Sequence, residues 1–169
     1  MTALEHEVEA AFHRHWTLGS LEERWAEWPD CLTDDVHYIE HVYGVMHGRA
    51  AVRTWITELM AARADVHAVL EWYVVRNRRV VLRMQNRFYH PDPAGSPIDF
   101  AGLTVLEYAG DGLFGYQEDY WDVPGSKAAF AEFSAAVERC GGRGLDGGRL
   151  EALEAERREQ TLEVFARGG

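Results

Sequence analysis

Residues 116–124, Tyr-Gln-Glu-Asp-Tyr-Trp-Asp-Val-Pro, read as the closing strand of a curved sheet. The proline at the end of the run cannot continue a ladder, but it can open a helix. A period of two puts Gln117, Asp119 and Trp121 on one face and Glu118, Tyr120 and Asp122 on the other. The first face therefore carries a single carboxylate between an amide and an indole. If that face lines a pocket, apolar neighbours raise the carboxyl pKa toward working pH, which suits Asp119 to handling protons. If the strand is a half-exposed edge, the same pattern is three solvated acids.

The strands before this one share its register. From Val66 the chain changes from helical to alternating character, with Ala68, Leu70, Trp72 and Val74 on one face and Asn77-Arg78 as a tight turn. Residues 79–90 divide into an apolar face (Leu82, Met84, Asn86, Phe88) and a solvent face (Val81, Arg83, Gln85, Arg87, Tyr89). A loop rich in proline and glycine over 91–97 precedes a third strand at about 97–109, and Gly110-Asp111-Gly112 turns into the closing strand. Phe130, Phe133 and Val137 then sit at helical spacing up to Cys140.

Helices dominate the first third. Leu4, Val8, Ala11, Phe12 and His15 form one apolar stripe over residues 3–17, ending at Gly19. Ser20 with Glu23 reads as a capping box for a short second helix carrying Leu21, Trp25 and Trp28, stopped by Pro29. Residues 34–40 alternate as a strand, a turn-like stretch follows to Gly48, and Val52, Ile56, Leu59 and Met60 mark a helix over 48–63. Helices first and antiparallel strands after predict an α+β fold with the sheet curled around the helices. Residues 1–140 form that domain, 141–148 a glycine-rich linker, and 149–169 an amphipathic helical extension with Leu150, Leu153, Leu162 and Phe165 as its interrupted stripe. So weak a stripe must dock on the body or on a second subunit, or else fray.

Composition narrows the partners. Seventeen Lys and Arg against 28 Asp and Glu give a net charge of −11, which repels phosphate backbones, so no nucleic acid is expected. Cys31 and Cys140 have neither metal-finger nor redox-motif spacing, and the first residues are acidic and helical, unlike a targeting peptide. No apolar run approaches a membrane span. A cytoplasmic protein with reduced thiols and no membrane partner is the expectation. His37, His41 and His47 crowd around Glu40, but His37 and Glu40 fall on opposite strand faces, so no metal is expected there.

Three stretches resemble the nuclear transport factor 2-like superfamily, a cone-shaped α+β barrel, and within it the SnoaL-like group. Asp34-Asp35-Val36-His37-Tyr38-Ile39-Glu40 resembles the start of its first strand, Gly48-Arg49-Ala50-Ala51-Val52-Arg53 its helix start, and Glu118-Asp119-Tyr120-Trp121-Asp122 its closing motif. The likeness covers roughly residues 8 to 138. It implies an open sheet face covered in a homodimer. It also implies that Asp119 matches the pocket aspartate of SnoaL-like polyketide cyclases and limonene-epoxide-hydrolase-like enzymes. Those epoxide hydrolases carry Tyr and Asn on the first strand, where this chain has Tyr38 and Glu40. Their middle-strand Arg-x-Asp falls on Met84 and Asn86, or in a register one earlier on Arg83 and Gln85. The base aspartate of ketosteroid isomerases falls on Glu40, and their oxyanion-holding Tyr and Asp fall near Phe12 and on Thr104. Neither pattern is complete.

The resulting expectation is a pocket with Asp119, Glu40, Tyr38 and Asn86 as the chemical groups. Gln117, Trp121, Trp72, Leu70, Met84, Phe88, Phe100, Gly102 and Thr104 would line it. Two carboxylates of unequal burial can divide the work of base and acid, while Tyr38 or Asn86 holds a substrate carbonyl. This describes a cofactor-independent isomerase, cyclase or dehydratase acting on a small hydrophobic carbonyl compound. A non-catalytic binder and an epoxide hydrolase with an altered triad are the alternatives.

Overall fold

The computed structural model describes residues 1–168 of the 169-residue chain. The first helix, α1 (Ala3–Trp16), begins with a capping box. The Thr2 hydroxyl accepts from the Glu5 N–H at 3.2 Å, and the Glu5 carboxylate accepts from the Thr2 N–H at 2.8 Å. Glu5 also accepts from the N–H of Asn77, so the same carboxylate ties the helix to the turn between two strands. These backbone N–H donors hold its pKa down at about 2.

The expected helix after Ser20 does not form. The chain leaves α1 through a π-turn over Thr17–Leu21, and a short 3₁₀ segment follows at Trp28–Cys31. Gly19 is buried there rather than ending a helix, since a Cβ at this position would meet Trp28 Cδ1 at 2.6 Å. Only a residue without a side chain lets that indole close down on the turn.

The strands are β1 (Leu32–Glu40), β2 (Gly44–His47), β3 (His67–Arg76), β4 (Arg79–Phe88), β5 (Ile98–Gly110) and β6 (Leu113–Trp121). They form one open sheet in the order β2-β1-β6-β5-β4-β3, antiparallel except where β1 runs parallel to β6. The short strand β2 lies in what the sequence presents as a turn. Helix α2 (Arg49–Ala61) crosses between β2 and β3, and α3 (Val123–Arg139) follows the closing strand. Asp122 caps α3 by accepting from the Gly125 N–H at 3.0 Å. The core joins Val8, Phe12 and Trp16 of α1 and Val52 and Ile56 of α2 to the inner face of the sheet. A second cluster packs Phe88, Ile98 and Phe100 against Ala129, Phe130 and Phe133 of α3.

Strand β3 departs from simple alternation. Its register to β4 slips between Leu70 and Trp72, so Glu71 and Trp72 both face outward. This is a β-bulge, which reverses the faces of every residue beyond it. Trp72 is 43% exposed as a result.

The last helix, α4 (Gly147–Arg167), docks on the body. The residues it buries are Arg157, Thr161 and Val164, whereas Leu162 of the expected stripe turns to solvent at 57% exposure. The Arg157 guanidinium donates to the carbonyls of Ser20 and Ala68 and meets Glu23 at 3.2 Å. Phe165 stacks on His13 with ring centroids 3.7 Å apart. Among the described residues, no helix is long and apolar enough to cross a membrane.

Candidate functional site

Between the concave face of the sheet and helices α1, α2 and α3 lies a cavity of about 140 Å³. Five of the six Trp residues line it, namely Trp16, Trp25, Trp28, Trp55 and Trp121, leaving out only Trp72. Met84, Phe100 and Phe130 are among the remaining apolar walls.

Asp119 sits on this wall, 8% exposed. Thr104, its cross-strand partner, donates from Oγ1 to Asp119 Oδ1 at 2.6 Å. The Tyr38 hydroxyl donates to Oδ2. Gln117 Nε2 reaches both carboxylate oxygens at 3.2 and 3.3 Å and the Tyr38 oxygen at 3.2 Å. Burial raises the Asp119 pKa against the opposing pull of the Thr104, Tyr38 and Gln117 donors. Burial, with the Asp119 charge beside it, holds the Tyr38 phenol protonated, well above its ordinary range.

Behind Gln117 stands His15. A carboxylate only accepts, so the Gln117 amide must turn its NH₂ toward Asp119 and its oxygen toward His15. The His15 Nε2–H therefore donates to Gln117 Oε1 at 3.1 Å, which fixes the tautomer. Burial depresses the His15 pKa to about 4, so the ring is neutral near pH 7. The sequence shows His15 as part of the apolar stripe of α1. The stripe was legible, but the role of orienting Gln117 was not.

The expected site residues divide into three groups. Tyr38, Asn86, Thr104, Gln117, Asp119, Trp121, Met84 and Phe100 all line the cavity. Gly102 lies beneath it, where a Cβ would come within 3.1 Å of Asn86 Nδ2 and 3.2 Å of Met84 Cε. Glu40 is fully buried and lies opposite Asp119 in register, yet it is absent from the cavity wall. Its Oε2 accepts from the N–H groups of Val42 and Tyr43 at 2.8 and 2.6 Å, holding the turn into β2. Burial raises its pKa, and the nearby Asp119 charge adds to the rise. Leu70 belongs to the core and Phe88 to the cluster under α3, so neither lines the cavity. Trp72 is carried to the outer face by the bulge.

Three buried donors around the cavity have no partner among the described residues: Asn86 Nδ2 and the indole N–H groups of Trp16 and Trp55. Buried donors are costly to leave unpaired. The histidines near Glu40 lie elsewhere. His37 and His47 meet each other at 3.1 Å, and His41 pairs with Glu118. A separate group, Glu23, His67 and Glu154, brings its ligand atoms within 4.8 Å of one another. There the Arg157 guanidinium already supplies the positive charge.

A curved α+β sheet folded over helices, with a buried carboxyl on the wall of an apolar cavity, defines the class as nuclear transport factor 2-like pocket proteins. The sequence profile of the SnoaL-like domain matches residues 8–114. The chain belongs to the SnoaL-like family. Solved structures agree with this. A protein from Jannaschia sp. CCS1 assigned as a SnoaL-like polyketide cyclase is 17% identical with a TM-score of 0.63, covering 76% of this chain and 94% of its own. A limonene-epoxide-hydrolase-like enzyme of M. tuberculosis is 16% identical with a TM-score of 0.60, covering 78% and 95%. A protein assigned as a ketosteroid isomerase from Kribbella flavida DSM 17836 is 18% identical with a TM-score of 0.53, covering 69% and 78%. At these identities the likeness is one of fold. No curated protein matches in sequence.

Proposed function

We propose that the protein is a cofactor-independent enzyme that moves protons on a small hydrophobic carbonyl compound, by isomerisation, cyclisation or dehydration. The observation that carries this reading is the buried Asp119 carboxyl, its pKa raised by burial, on the wall of an apolar cavity. As a carboxylate it takes the proton from a carbon next to the substrate carbonyl, and the bonding electrons move onto the carbonyl oxygen. As the acid it returns that proton to a second carbon of the same substrate, which regenerates the carboxylate and balances an isomerisation. The unpartnered donors of Asn86, Trp16 and Trp55 support stabilisation of the developing negative oxygen. Tyr38 and Thr104 hold the carboxyl in place.

The cavity also bounds the substrate. A cavity of about 150 Å³ lined by apolar side chains takes up benzene, so about 140 Å³ fits a body of a single ring. Glu40 supports the turn rather than the chemistry in this reading. The epoxide hydrolase alternative has less support, because Asp119's partners are Tyr38, Thr104 and Gln117, with no arginine among them.

One observation favours a second reading, a non-catalytic binder. The acceptor positions of Asp119 are taken up by three neighbouring side chains, as they would be in a carboxyl held for structure. Asp119→Asn separates the two. A catalytic role predicts a loss of roughly 10²-fold or more in kcat, with ligand Kd changed only a few-fold. Equal loss of binding and turnover would leave the binder reading standing.

A further inference from the structure

Arg63 follows α2 at the rim of the cavity. The residue is half-buried and lines the cavity. Its guanidinium lies over the Phe130 ring at 4.5 Å from the centroid, and its Nη2 donates to the Tyr43 hydroxyl at 3.4 Å. Tyr43 in turn packs against Trp55 and Trp121, both cavity walls. The guanidinium thus lies over one aromatic face and donates to one phenol oxygen, an arrangement that stabilises a cation without neutralising it.

Among the described residues, no carboxylate pairs with it. Glu23, which also lines the cavity, is already engaged by His67 at 2.9 Å and Arg157 at 3.2 Å. The rim therefore presents one free, oriented guanidinium whose planar fork matches a carboxylate. Deeper in, the Asn86 amide and the Trp16 and Trp55 indoles are unpartnered donors, while the unprotonated Nδ1 of His15 is an unpartnered acceptor. A protein of net charge −11 repels anions at long range, and an anionic ligand needs a local cation of this kind to be held at all.

We propose that Arg63 selects the ligand by its charge: the physiological ligand is a small aromatic or alicyclic acid. Its ring body enters the cavity, and its carboxylate stays at the rim on the Arg63 guanidinium. This rests on the reading of the cavity as a ligand site and adds to it the chemical class of the ligand. Arg63 is a specificity-determining residue here, distinct from the Asp119 group that does the chemistry.

Isothermal titration with two probes of equal shape, benzoate and benzamide, tests it. The wild type is expected to bind the carboxylate roughly ten-fold more tightly, about the worth of one charge-assisted hydrogen bond. Added salt should weaken only the carboxylate. Arg63→Gln should abolish the preference while leaving the amide within two-fold, and Arg63→Lys, which keeps the charge without the planar fork, should keep only part of it. Equal affinities for the two probes in the wild type would overturn the inference alone. So would an Arg63→Gln variant that loses both probes equally, which marks a structural role. Failure of either probe to bind the wild type at its solubility limit would overturn the cavity reading, and this inference with it.

Discussion

Acidification should weaken this fold in part through His15. His15 is 6% exposed, and among the described residues its one side-chain hydrogen bond is the one that orients Gln117. Its pKa falls from 6.5 to about 4 on folding because burial disfavours the imidazolium. A depressed histidine contributes stability that is fully present above pH 6.5 and is lost as pH falls toward 4, since the unfolded chain then binds the proton and the folded one does not. With those two values the loss is about 2 kcal/mol at pH 5 and about 3 kcal/mol at pH 4. About 2 kcal/mol corresponds to roughly 4–8 °C in Tm for a chain of this size. Carboxylates titrate in the same range, so the comparison must be with His15→Gln, whose side-chain amide can still donate to Gln117. Urea unfolding from pH 7.5 to 4 should show the wild type losing that much more stability than the variant. Parallel profiles would refute the claim that the fold holds His15 neutral.

Asp119 behaves in the opposite sense. Its folded pKa lies above 3.8, so its protonated form favours the fold, and that contribution is lost as pH rises through the folded pKa. Asp119→Asn should therefore flatten the decline of stability on the alkaline side of pH 4, measured by the same unfolding series; an unchanged slope would contradict the shift. Gly102→Ala should force Asn86 or Met84 to move, at 3.1 and 3.2 Å from the new Cβ. Titration should show weaker ligand binding with stability lowered by about 1 kcal/mol or more, whereas unchanged affinity would remove Asn86 from the site. Arg157→Met should lower stability by about 2 to 3 kcal/mol, because it strips partners from Glu23 and from the carbonyls of Ser20 and Ala68. Loss of α4 protection in hydrogen exchange should accompany it.

The parts of the fold that obey one period were legible in the sequence. Alternation in β4, β5 and β6 placed Asn86, Phe100, Thr104, Gln117 and Asp119 on one face, and they share one cavity wall. The parts that break period were hidden. A one-residue bulge, which leaves no mark in hydrophobic pattern, carried Trp72 outward and separated it from the five other Trp residues. Strand β2 is four residues long and mostly exposed, so it has no apolar alternation to read. On α4, the guanidinium of Arg157 found three acceptors inside the body while Leu162 stayed outside. Local apolar counting cannot anticipate a polar residue with long-range partners. Glu40 shares the face of Tyr38, as alternation requires, but backbone N–H groups two and three residues on capture its carboxylate before it can enter the cavity. His15, Trp16, Trp55 and Arg63 come from helices or their ends, and which wall of a cavity a helix supplies depends on packing rather than on its own sequence.

The central claim is that the Asp119 carboxyl exchanges protons with carbon next to a carbonyl. Deuterium incorporation from heavy water into a panel of single-ring ketones and keto acids, followed by mass spectrometry, measures that step without knowledge of the product. The account predicts exchange with the wild type and with Glu40→Gln, and its loss with Asp119→Asn. Exchange that survives Asp119→Asn, or none with ligands that demonstrably occupy the cavity, would contradict it.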